Sequence, residues 1–157
     1  MADGTEKKLT TGELMRRLFS TASIGRFLER NEQELHTPGF AELTKRYAAA
    51  RAVEPREAIR RAHIERVYGY QLFSGTRQPS RDKALQIAIA LGLSVDETQT
   101  LLRAAGRSEL YARLKRDAAL LYCLNKKLDM DETQALLEEL SLPALGGMRG
   151  GDDEPCD

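Results

Sequence analysis

The chain has 157 residues, 41% of them hydrophobic and 31% charged, with no Trp and a formal net charge of zero; this is the composition of a helical globular protein with one sizeable core. No apolar run is long enough to cross a bilayer, and polar Met1–Lys8 has no apolar stretch with a small-residue cleavage site behind it, so a cytoplasmic protein without membrane association is expected. The zero balance does not exclude nucleic acid, because residues 41–83 hold ten Lys or Arg against five acids, a local +5, while residues 84–157 carry −5.

Helical spacing recurs from start to end and no period-two alternation is sustained, so the fold class is all-α. A first helix from Thr11 groups Leu14, Leu18 and Phe19, and a short second one brings Ile24, Phe27 and Leu28 together before Asn31, making residues 1–36 an N-terminal helical extension. Thr37 and Pro38 have the form of an N-cap and a first helical residue, opening a helix through Phe40, Leu43 and Tyr47. Glu54-Pro55 repeats the start signal and opens a short helix with Ala58, Ile59 and Ala62 inward and Arg56, Arg60 and Arg61 outward. Past a tight corner at Ala62-His63-Ile64, the next helix covers Ile64 to Phe73 and stops at Gly75, with Pro79 beyond. Ser80 then caps a helix from Arg81 to Leu91.

From there the chain repeats itself. ALQIAIALGLSVDETQTLL, starting at Ala84, aligns with ALLYCLNKKLDMDETQALL, starting at Ala119, at an offset of 35 residues without a gap. In each copy a longer apolar helix ends and Ser94 or Asp129 caps the next, with Glu97 or Glu132 completing a capping box. The acids of the DETQ segment suit a helix start rather than acid–base chemistry. Two copies are too few for a solenoid, so residues 107–142 read as a duplicated hairpin extending the domain. Pro143 opens a Gly- and acid-rich tail, 143–157, expected to be disordered.

Two short helices meeting across a tight corner are the requirement of a helix-turn-helix. The stretch Phe73-Ser74-Gly75-Thr76-Arg77-Gln78-Pro79-Ser80, followed by Ala84 to Val95, resembles the phage-repressor-like (XRE-type) helix-turn-helix family, a class of bacterial transcription regulators. The resemblance covers residues 40–102. It implies a lambda-repressor-like bundle, here within residues 37–106, and sequence-specific binding to duplex DNA. It also places Glu65, Arg66, Val67, Tyr68 and Gln71 on the groove side of the recognition helix. Base readout is assigned to Arg66, Val67, Tyr68 and Gln71, whose donors and apolar surfaces suit guanine, adenine and thymine-methyl edges. Phosphate contacts are assigned to Arg60, Arg61, Thr76, Arg77, Arg81 and Lys83. Two features depart from the family pattern. Gly69 sits in mid-helix, where it costs about 1 kcal/mol relative to Ala unless close packing demands it, and Glu65 at the helix start repels phosphate.

The alternative is a protein-interaction adaptor of the same shape that docks a partner through Tyr68 and Tyr70. An enzyme is not expected: His36 and His63 are separated by helices, His63 sits at the turn of the motif, no nucleophile has a base at a readable spacing, and no phosphate-binding glycine loop occurs. Cys123 reads as core, and neither it nor Cys156 has metal-ligand spacing, so no metal or cofactor is expected. A homodimer is expected from the short recognition helix, with the N-terminal helices or the duplicated hairpin as candidate surfaces.

Overall fold

The computed structural model describes residues 9–146, which fold as α-helices and connecting turns without a strand among the described residues. Two compact units divide the chain after Thr37.

The first unit contains α1 (Thr11–Ser20) and α2 (Ile24–Arg30). Thr10 and Glu13 close a capping box at the start of α1, and Ser23 caps α2. Of the apolar residues expected to face one another, Phe27 is buried and Leu14 and Leu18 are half-buried. Phe19, Ile24 and Leu28 remain exposed, since two short helices cannot enclose more than one large side chain. Buried Asn31 ties the pair, donating from Nδ2 to the Phe27 carbonyl at 2.8 Å and accepting from Arg17 at 3.4 Å.

The second unit begins with α3 (Phe40–Ala50), α4 (Pro55–Arg61) and α5 (Arg66–Ser74). The N-cap of α3 is Gly39, not Thr37, and Pro38 lies outside the helix. Buried Phe40 anchors the first turn, and the Leu43 N–H closes on the Gly39 carbonyl without help from a side-chain cap. Pro55 opens α4 as expected, with Ala58, Ile59 and Ala62 buried and Arg56, Arg60 and Arg61 exposed. α6 (Arg81–Leu91), α7 (Val95–Ala104), α8 (Lys115–Asn125) and α9 (Met130–Glu139) follow. The expected caps form: Ser80 on α6, Ser94 with Glu97 on α7, and Asp129 with Glu132 on α9.

The duplicated hairpin is not an appendage. It shares one core with α3–α7, in which Leu85, Leu101, Leu102, Leu120 and Leu137 are all buried. Each copy is closed by its DETQ glutamine. Gln99 brackets the backbone of Leu110, donating to its carbonyl at 2.9 Å and accepting its N–H at 2.8 Å, and Gln134 does the same for Leu145 at 2.8 and 2.9 Å. Leu145 is therefore buried and the chain is ordered through Gly146, beyond the Pro143 boundary expected for a tail; the rest of that expected tail lies outside the described residues.

The copies are joined by contacts that run both ways. Arg81 donates to Asp117 at 3.0 and 2.8 Å and to the carbonyls of Ser108 and Glu109 at 3.0 Å. At the equivalent places, Arg116 donates to Asp82 at 3.0 and 2.9 Å and to the carbonyls of Pro143 and Ala144 at 2.9 Å. The Tyr111 N–H reaches Asp117 at 2.9 Å and the Gly146 N–H reaches Asp82 at 3.0 Å. If the operation that carries the first copy onto the second also carries the second onto the first, it is a two-fold rotation. The repeat therefore closes after two copies, which a translational solenoid does not.

Candidate nucleic-acid interface

The corner between α4 and α5 starts at Ala62, whose carbonyl accepts from buried Gln86 at 2.9 Å. His63 holds a left-handed backbone, φ 58°, which reverses the chain. Ile64 is buried, and its N–H bonds the Ile59 carbonyl, so it belongs to the corner and not to the following helix. Glu65 is the N-cap of α5: its carboxylate accepts the N–H groups of Val67 at 3.0 Å and Tyr68 at 2.8 Å. The Tyr68 and Val67 N–H groups hold the Glu65 carboxyl below its ordinary pKa. Expected on the groove face, Glu65 is instead committed to the helix end, where its charge suits the dipole.

Gly69 is explained by packing. A Cβ there would lie 2.5 Å from Cγ2 of Ile59 in α4, closer than side chains tolerate, so glycine lets the two helices approach. With Gly69, Leu72 and Phe73 buried, α5 presents the opposite side to solvent. Arg66 and Val67 are exposed, Val67 at 62%, and Tyr70, one turn on, is exposed beside them. Gln71 is half-buried at the edge of this face. Tyr68 is half-buried as well. It lies two positions from Tyr70, on another side of the helix, and the Arg77 guanidinium stacks over its ring at 4.5 Å from the centroid. The two tyrosines therefore do not form one exposed patch. Tyr70 belongs with Arg66 and Val67, a grouping the spacings of three and four residues already contained.

The expected phosphate contacts divide into two sets. Arg60, Arg61, Thr76 and Arg77 are exposed around α5. Arg60 and Arg61 share Glu57, one turn back on α4, and the Arg60 bonds followed by the Arg61 bond pull the Glu57 pKa down to about 2. Thr76 Oγ1 lies 2.8 Å from Ser74 Oγ. Arg81 and Lys83 are not surface contacts. Every donor group of Arg81 that the clamp uses is directed at Asp117 or at the carbonyls of Ser108 and Glu109. Lys83 is buried, with its ammonium 5.8 Å from the Tyr68 ring centroid, because α6 is covered on all sides.

Protein-family models, curated protein sequences and solved structures were compared with the chain, and none of them matches it. Among the described residues no cluster of His, Cys, Asp and Glu is arranged to hold a metal ion, and no helix is long and apolar enough to cross a membrane.

Proposed function

We propose that the chain binds duplex DNA sequence-specifically through α5, as a transcription regulator with the helix arrangement of the phage-repressor-like class. One observation carries the reading: α5 is locked against α4 by the Gly69–Ile59 approach while its far side offers Arg66, Val67 and Tyr70 to solvent. A short helix that is rigid on one side and rich in donors and apolar surface on the other suits the major groove. Arg60, Arg61 and Arg77 flank it with positive charge, although Glu57 offsets part of the charge of the first two.

In this reading Arg66, Val67 and Gln71 specify sequence, with Tyr70 beside them, and Arg77, Arg60, Arg61 and Thr76 position the backbone. Tyr68 supports Arg77, whose guanidinium stacks on its ring, instead of reaching a base. Fluorescence anisotropy with random and genomic duplexes across a salt series tests this. The expected result is tight binding to a genomic subset, and a loss of that preference in Arg66→Ala with Gln71→Ala. Arg77→Ala should weaken all duplexes alike and reduce the salt slope by about one. No binding to any duplex at low salt would sink the proposal.

A further inference from the structure

The two-fold relation between the copies identifies a face of the protein that is covered in one copy and open in the other. In the first copy, α6 packs against α3 and α4, and α7 packs against α3. Gln86 donates to the Ala62 carbonyl at 2.9 Å, Glu97 accepts from Arg51 at 2.6 Å, and Ile87 and Leu101 are fully buried. The equivalent positions in the second copy are Leu121, Glu132, Tyr122 and Leu136. There Tyr122 is 54% exposed, and Leu114 and Leu140, which stand where the first copy has Pro79 and Ala105, are 55% and 51% exposed. A face left to water is expected to carry polar residues. Here the exchanges run both ways: Leu91 and Ala104 give way to Lys126 and Glu139, while Pro79 and Ala105 give way to exposed Leu114 and Leu140, so apolar side chains remain at the surface between charged ones.

We propose that this face of α8 and α9 is a homodimer interface, covered by the same face of a second copy of the chain. The charges around it select that occupant. Lys115 on α8 and Lys126, its C-cap, lie along the Tyr122 side of the helix, with the Lys126 ammonium 5.9 Å from the Tyr122 ring centroid. On α9, Glu132 and Glu139 lie one turn to either side of Leu136, beside Leu140. One rim is basic and the other acidic, with an apolar strip between them. A two-fold axis that sets α8 of one copy against α9 of the other joins the strips and pairs opposite charges twice, making the face complementary to itself.

Sedimentation velocity on the full chain, with thiols kept reduced so that no disulfide links copies, decides the matter. The wild-type chain is expected to sediment as a dimer at about 50 μM, within the micromolar range of modest interfaces. Tyr122→Asp with Leu140→Asp is expected to weaken association at least tenfold while leaving the helical circular dichroism and the melting cooperativity intact. Should that variant lose its fold, single charge reversals replace it: Lys126→Glu and Glu139→Lys each weaken the dimer, and the two combined recover part of it. A wild-type chain that stays monomeric to about 200 μM overturns the proposal and leaves the face to a different protein. A dimer indifferent to all of these substitutions overturns it too, and moves the interface elsewhere.

Discussion

The two copies of the repeat share their local structure and differ in what surrounds them. Both begin with Arg-Asp, both use the DETQ segment as a capped helix start, and both bracket a Leu backbone with the Gln of that segment. Yet α6 has nearly every residue buried, whereas α8 keeps Tyr122, Asn125 and Lys126 at the surface. The caps and brackets depend on residues a few positions apart and survive a change of surroundings. Burial depends on what lies across the helix, and only the first copy has α3–α5 there. The shared caps and brackets therefore hold one shape in two surroundings, with two energetic weights.

The Arg–Asp clamps turn that difference into the largest measurable effect. Asp117 keeps only 4% of its side chain exposed, while its equivalent Asp82 keeps 27%. Arg81→Ala strands a buried carboxylate, which costs about 3–5 kcal/mol, and Arg116→Ala strands one that water reaches, which should cost about 1–3 kcal/mol. Urea unfolding of both variants checks the order, and equal losses would break the comparison. At each carboxylate, burial acts to raise the pKa, and the bonds and charge of the guanidinium, with the Tyr111 or Gly146 N–H, outweigh it and hold the pKa below its ordinary value. A depressed folded pKa contributes stability that is present above the unfolded value, about 3.9, and is lost as pH falls through the folded one. Acid unfolding below about pH 4 should thus be shallower in Asp82→Asn with Asp117→Asn than in the wild type.

A smaller effect separates the apolar positions. Leu101 is fully buried and its equivalent Leu136 only half-buried. Leu101→Ala leaves a cavity and is expected to cost about 2–5 kcal/mol, whereas at Leu136 solvent fills the gap and the loss should be about 1 kcal/mol. If Leu136→Ala costs as much as Leu101→Ala at low protein concentration, the second copy is better covered than its surface implies. If the loss at Leu136 grows with protein concentration, a second chain is covering it.

Much of this was legible in the residues themselves. Ser80, Ser94 and Asp129 are caps because short polar side chains precede apolar runs, and Pro55 and Gly75 mark ends for backbone reasons alone. The repeat was plain from Ala84 onward, but the Arg-Asp pair just before it carries the contacts that close the two copies. What escaped reading is what depends on distant partners. Arg81 is a basic residue beside a candidate DNA-binding helix, and nothing local shows that a carboxylate 36 positions away occupies it. Lys83 reads as surface until α6 is known to be covered on that side. At α5 the helix start moved from Ile64 to Arg66 because Glu65 serves as a cap, a role that an acid at a helix start always leaves open.

The gentlest contrast between the copies is in the backbone. The turn after α7 uses Gly106 with φ 72°, and the equivalent turn after α9 places Ser141 at φ 57°. A side chain in the left-handed region crowds its own carbonyl, at a cost of about 1–2 kcal/mol, part of which is regained because glycine has more freedom to lose on folding. Open space surrounds the position where a Cβ would stand on Gly106, so the penalty for adding one is conformational alone. Gly106→Ala is therefore expected to destabilise by about 1 kcal/mol and Ser141→Gly to stabilise by about 0.5–1 kcal/mol, both read from chemical denaturation. Opposite signs at equivalent positions would mean that the two turns are one structure differing in a single Cβ. A loss on Ser141→Gly would mean that the serine side chain contributes something its counterpart never had.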